Sequence, residues 1–292
     1  MNPTLDALRT LEVPPMTVAA LTLTTVALVL ADPLLGRRQH RDLLTAVRAD
    51  PAGAERTRLT HYRSWIGQSW LWALGVVVLV AALPGVGPAS LGLRAPDLAG
   101  IGASVWHETD AATQAGTGDT IATVAGMLVG ALLGTLVAVG VWRLVARLRR
   151  TDTVPLAGSA ALTPMLPTTR AGRRGWAALS VTAGITEEVT YRGLVILTLA
   201  TLLPTADPRV VVVLAAVLFG AAHLYQGWTG MLATGVAGAA LAGLYLGTGS
   251  LVVPMALHVL IDLRVLLLAR RSPVRDAPAV AGARSTGSAV PA

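Results

Sequence analysis

Gly184-Ile185-Thr186-Glu187-Glu188-Val189-Thr190-Tyr191-Arg192 lies inside an apolar run from about Trp176 to Leu203. The run reads as a membrane-crossing helix, for which about 20 mostly apolar residues suffice. A charge at the centre of such a helix costs about 2.5–3.5 kcal/mol on insertion scales, so ionisable residues there mark a functional site by default. Two carboxylates and a guanidinium within six residues need partners. The chain supplies candidates further on, at His223, His258 and Asp262.

The rest of the composition agrees with a membrane environment. The 292 residues are 53% hydrophobic and 13% charged, with mean hydropathy +0.63; soluble domains carry about 25% charged residues. These values imply an all-α fold, a polytopic transmembrane helix bundle with its site inside. With no cysteine in the chain, disulfides, thiolate nucleophiles and Cys-ligated metals are excluded. The net charge of +7 comes from arginines that flank the apolar runs, a pattern of membrane orientation. No Gly-rich phosphate loop follows a strand-like segment, and no nucleic-acid partner is expected.

Seven spans are expected, at Val13–Leu35, Trp65–Leu83, Thr120–Trp142, Trp176–Leu203, Arg209–Tyr225, Trp228–Gly247 and Leu251–Ala269, with eight if one is split. They form a single membrane domain over 1–269, made of three N-terminal spans (13–142) and a motif-bearing core (176–269). The tail 270–292, rich in Ala, Pro, Ser and Gly, reads as disordered. Seven Arg fall in the loop 36–64, seven in 143–175 and four in the tail. The positive-inside rule places those segments in the cytoplasm and the N-terminus outside. Gly126, Gly130 and Gly134 in the third span, and Gly235, Gly238, Gly243 and Gly247 in the sixth, read as sites of close helix packing.

Within the motif-bearing run, Glu188 and Arg192 are four residues apart and share a helix face, so an ion pair is expected. Glu187 then points about 100° away, with Tyr191 one turn on as a hydrogen-bond donor. Phe219 is one turn before His223, and His258 one turn before Asp262. Taken singly, each His reads as a structural residue, His258 through a hydrogen bond to Asp262. Taken together, two imidazoles and two carboxylates on three spans suffice to hold and polarise one water, with or without a metal. Counted by helical rise, His223 lies nearer the cytoplasm than Glu187 and His258 nearer the outside. Helix tilt or a kink around Pro254 is the expected way of bringing them together. His107-Glu108 is no zincin motif, because position 111 is Ala.

Glu187-Glu188-x-x-x-Arg192, Phe219-x-x-x-His223 and His258-x-x-x-Asp262 resemble, in order and placement, the three motifs of the CPBP intramembrane proteases. That family includes the type II CAAX prenyl endopeptidases and bacteriocin-processing enzymes, and is also called the abortive-infection family. The resemblance spans about 176–269 and leaves the first three spans uncovered. It implies an intramembrane endopeptidase that cleaves a membrane-embedded or membrane-tethered peptide or protein. Glu187 would be the general base, and His223 would hold the water. His258 and Asp262 would form the oxyanion-stabilising or metal-coordinating side. Glu188, Arg192, Phe219 and Tyr191 would support the site. Zinc on Glu187, His223 and His258 and a metal-free glutamate mechanism are equally compatible with this set. A non-catalytic scaffold or immunity protein of the same fold and an ion- or proton-coupled transporter are the competing readings. The Arg-only, Cys-free composition suggests a prokaryotic plasma membrane.

Overall fold

The computed structural model describes residues 2–97 and 159–269, and every regular element in them is helical. The expected third span, Thr120–Trp142, its glycines, His107-Glu108 and the tail 270–292 lie outside the described residues.

A short helix, α1 (Pro3–Arg9), precedes the first span. It starts on the side chain of Asn2, which accepts the Leu5 N–H at 3.0 Å. Two long helices follow, α2 (Pro15–Ala49) and α3 (Ala54–Ala82), joined by a turn at 50–53. The segment 36–64, expected as an Arg-rich loop, is therefore helical on both sides of that turn. A 35-residue helix is about 52 Å long, against about 30 Å of hydrocarbon. Its polar end continues as helix beyond the apolar stretch. Apolarity locates the membrane; it does not locate helix ends.

After short helical turns at Pro88–Leu91, Ser159–Leu162 and Thr163–Met165, the long helix α4 (Arg170–Glu188) runs on through a π-helical stretch, Val189–Leu194, into α5 (Val195–Leu202). It begins at Arg170 because Thr169 caps it, accepting the Gly172 N–H at 2.9 Å. Glu55 at the start of α3 accepts hydrogen bonds from the backbone and hydroxyl of both Thr168 and Thr169. The starts of α3 and α4 are thereby tied together. Helix α6 (Pro208–Ala222) is capped by Asp207. A single 3₁₀ turn, Leu224–Gln226, leads to α7 (Gly227–Thr248), and α8 (Val252–Ala269) completes the set.

The composite helix α4–π–α5 is the centre of the bundle. Leu194, Val195, Ile196 and Leu197 are all fully buried. The surrounding helices turn large apolar side chains outward, such as Leu23 on α2, Val78 on α3 and Trp228 on α7. In lipid that is the favourable side for them, because hydrocarbon replaces the core as their solvent. Helices α2, α3 and Leu224–Thr248 are long and apolar enough to cross a membrane, and Pro208–Ala222 is a shorter apolar helix. The chain is an integral membrane protein with an all-helical bundle.

Polar contacts tie the helices at the end where α2 starts. Thr25 and Thr198 share a hydroxyl–hydroxyl bond of 2.8 Å between α2 and α5. Arg9 donates to the carbonyl of Ala206, and Arg94 Nε to that of Gly249 at 2.6 Å. The glycine reading of α7 holds where the structure describes a close approach. A Cβ on Gly238 would stand 2.8 Å from Phe219 Cδ1, and one on Gly235 3.4 Å from the carbonyl oxygen of Ala216 on α6.

Candidate active site

Glu187 sits in the last turn of α4, where the helix widens into its π stretch. There the N–H of Val195 bonds to the carbonyl of Thr190, five residues back, where an α-helix would reach back only four. Threonine hydroxyls bond the carbonyls one turn earlier on the same helix, Thr186 to Thr182 at 2.8 Å and Thr190 to Thr186 at 3.1 Å. Such back-bonding bends a helix, and single π turns recur at functional sites.

His223 is at the C-terminal end of a short helix. Fifteen residues of α6 span only about 22 Å, less than the hydrocarbon thickness of about 30 Å. His223 is the residue on which the helix ends. Pro254 falls in the first turn of α8, where its missing N–H breaks no helical bond.

The three motifs converge. His223 Nε2 stands 3.8 Å and His258 Nε2 3.9 Å from Glu187 Oε2. His258 Nε2 is also 4.0 Å from Asp262 Oδ2. That is too long for the hydrogen bond expected along α8. His258 instead places Nδ1 2.7 Å from Glu188 Oε1, across to α4. Glu188 Oε1 also accepts from Arg192 Nη1 at 2.9 Å, which is the ion pair expected from the four-residue spacing. Both partners are buried, Glu188 at 0% and Arg192 at 1% exposure. Arg192 Nη2 donates to the carbonyl of Gly238 at 3.3 Å, and its guanidinium carbon lies 4.1 Å from the centre of the Phe219 ring. The Phe219 ring also meets His223 and His258 edge-on, at 4.7 and 5.9 Å between centroids. Glu188, Arg192 and Phe219 thus form the backing on which the imidazoles rest.

Hydrogen bonding settles one tautomer. His223 Nδ1 is 2.9 Å from the carbonyl oxygen of Phe219. A carbonyl only accepts, so Nδ1 carries the proton, and in the neutral ring Nε2 keeps its lone pair. Glu187 Oε2 is buried without a hydrogen-bond partner. Two acceptors therefore face each other across 3.8 Å. A gap of that length has room for one molecule that donates a hydrogen to each acceptor at ordinary hydrogen-bond lengths.

A cavity of about 210 Å³ opens onto this gap. Glu187, His223, His258 and Asp262 line it together with Phe219 and Tyr191. Tyr191 does not donate to Glu187, as its position one turn on would suggest. Its hydroxyl donates to Asp32 Oδ2 of α2 at 2.6 Å. Asp32 also lines the cavity and was not among the residues expected there. A signal was present, since Asp32 is the single charged residue in the run Val13–Leu35. Followed by Pro33 near the end of that run, it resembles a helix stop; in the structure, Pro33 lies inside the helix.

The donors suit zinc in kind, since His and Glu are usual ligands. Their spacing suits it less well. Ligands about 2.1 Å from a tetrahedral zinc lie about 3.4 Å from one another, whereas the pairs about Glu187 are 3.8 and 3.9 Å apart. Among the described residues, no group of three or more His, Asp or Glu forms a metal-holding cluster.

No curated protein and no solved structure matches the chain. A family model does, over residues 173–264, described as type II CAAX prenyl endopeptidase Rce1-like. The match begins in α4 and ends in α8, enclosing all three motifs and leaving α1 to α3 outside. The motif-bearing segment of this chain, residues 173–264, is similar to the Rce1-like family of type II CAAX prenyl endopeptidases.

Proposed function

We propose that the protein is an intramembrane endopeptidase that hydrolyses a peptide bond in a membrane-embedded or membrane-tethered substrate, using a water activated by Glu187. The observation that carries this reading is the pair of acceptors, Glu187 Oε2 and His223 Nε2, facing each other at 3.8 Å. A structural ion-pair network has no need of such a gap. A hydrolase does, because the gap orients a water with its lone pairs directed into the cavity.

Glu187 takes one proton from the water while His223 Nε2 holds the other hydrogen. The water oxygen then attacks the peptide carbonyl carbon, whose π pair moves to oxygen. With both nitrogens protonated, His258 donates Nδ1–H to Glu188 and presents Nε2–H to that oxyanion, with Asp262 beside it. Collapse of the tetrahedral intermediate breaks the C–N bond, and the proton held by Glu187 passes to the departing nitrogen. Products are a carboxylic acid and an amine. Each step uses groups of this chain and one water. Zinc at Glu187, His223 and His258 is the competing form of the mechanism, and a chelator distinguishes the two. Retained cleavage after exhaustive chelation supports the metal-free glutamate form, and loss restored by added zinc supports the other.

The bundle belongs, on this reading, to a prokaryotic plasma membrane, with the Arg-rich ends of α2, α3 and α4 in the cytoplasm. The test of the function is cleavage of membrane-tethered peptides by the full chain in nanodiscs. Glu187→Gln and His223→Ala, with folding checked by thermal stability, are expected to lose activity by about 10²–10⁴-fold. Cleavage unaltered by Glu187→Gln would falsify the assignment. A scaffold of the same fold would cleave nothing, and a transporter would show solute flux in proteoliposomes.

A further inference from the structure

Asp32 has no part in the hydrolysis described above, yet its carboxylate reaches the same cavity from a helix outside the matched segment. Among the described residues its only hydrogen-bond donor is Tyr191, to Oδ2. The other oxygen is left for a ligand. The surroundings point the same way. Three carboxylates line the cavity, those of Asp32, Glu187 and Asp262, and no Arg or Lys among the described residues does. Arg192 is buried behind the wall, its charge engaged by Glu188. Facing those carboxylates are two imidazoles: His223, which offers a lone pair, and His258, which carries both ring protons in the hydrolysis and hydrogen-bonds to Glu188 outside the cavity lining. The cavity also holds unmet polar capacity independent of Asp32. Glu187 Oε2 is buried without a hydrogen-bond partner, and Nε2 of His258, a residue only 6% exposed, has no neighbour closer than 3.9 Å among its carboxylate partners.

A charge taken out of water is retained where it is paired. A substrate cation gains such partners here, and a substrate carboxylate meets like charge, which opposes its binding. We infer that Asp32 is a specificity-determining residue that receives a basic side chain, lysine or arginine, near the scissile bond, so that the substrates are basic membrane-tethered peptides. The inference rests on the endopeptidase reading. It separates this chain's preference from peptides that present a free C-terminal carboxylate at the cut.

The experiment uses the full chain in nanodiscs and fluorogenic lipid-anchored peptides that differ at one position beside the cleaved bond, carrying Lys, Arg, Leu or Glu. Wild type is expected to cleave the Lys and Arg peptides with kcat/KM about tenfold or more above the Leu peptide, and the Glu peptide least well. Asp32→Asn is expected to bring the Lys-to-Leu ratio close to one, chiefly through KM, and Asp32→Glu to restore it. Asp32→Arg is expected to invert the Lys-to-Glu order. A residue that only supported Tyr191 would lower all peptides alike and leave the ratios unmoved. That result, or equal cleavage of Lys and Leu peptides by wild type, overturns the inference while leaving the endopeptidase reading intact. Absence of cleavage of every peptide overturns both. Binding to the Glu187→Gln variant gives a readout without turnover. The Lys peptide should bind it more tightly than the Leu peptide, and adding Asp32→Asn should remove the difference. Equal binding counts against Asp32.

Discussion

Glu188 and Glu187 are adjacent carboxylates with opposite obligations. Each leaves a buried Oε2 without a hydrogen-bond partner, but Glu188 is committed to Arg192 and His258 through Oε1, whereas Glu187 has only the two imidazoles, at 3.8 and 3.9 Å, beside Oε2. Removing one member of a buried ion pair leaves the other charge uncompensated, at a cost of about 3–5 kcal/mol. Glu188→Ala should therefore reduce thermal stability in detergent and the folded yield, and with them activity. Glu187→Gln should leave the melting temperature near wild type while abolishing cleavage. Melting curves and peptide assays on the same two preparations check the contrast. Equal destabilisation by both changes would assign Glu187 a structural role. Which of the two would be paired followed from the four-residue spacing to Arg192. That His258 would add itself to the same carboxylate did not, because α4 and α8 are 70 residues apart at that bond.

Helix α4 is held at both ends by contacts that a larger or smaller side chain would break. A Cβ on Gly184 would stand 2.5 Å from Val259 Cγ2 and 2.8 Å from the Val259 backbone nitrogen on α8. Gly184→Ala must push the two helices apart one turn from Glu188, lengthening the 2.7 Å bond to His258. It is expected to cost about 1–3 kcal/mol, the usual range for overpacking, and to depress cleavage more than stability alone would. Comparing kcat at a temperature where both forms are fully folded tests this. At the other end, Glu55→Ala removes the acceptor shared by Thr168 and Thr169. It should loosen the start of α4 by about 1 kcal/mol, the usual weight of a lost cap, without changing the order of peptide preference. Hydrogen exchange at 170–175 reads the first effect. The ends of α2, α3 and α4 were not legible in the apolar pattern, because arginine is a good helix former and these helices continue past the lipid.

At the scale of the whole molecule, the Arg-rich ends of α2, α3 and α4 predict the orientation of the bundle. The chain has no cysteine, so single replacements report on one site each. Ala52→Cys in the α2–α3 turn should react with impermeant reagents only from the cytoplasmic side, and Thr205→Cys between α5 and α6 only from the outside. The opposite pattern would invert the bundle and the side from which substrate arrives. What the amino-acid order determined by itself was the class of protein and the motif positions: long apolar runs, intramembrane charges without local partners, and one-turn spacings that pair Glu188 with Arg192. Those are properties of a single helix, readable from periodicity. Only the tertiary structure decided the rest: that the end of α6 brings His223 beside Glu187, that His258 turns to Glu188 instead of Asp262, and that α2 delivers Asp32 into the same cavity. Each of these depends on how helices distant in the chain pack against one another, and side-chain contacts across a bundle leave no period in any one of its helices.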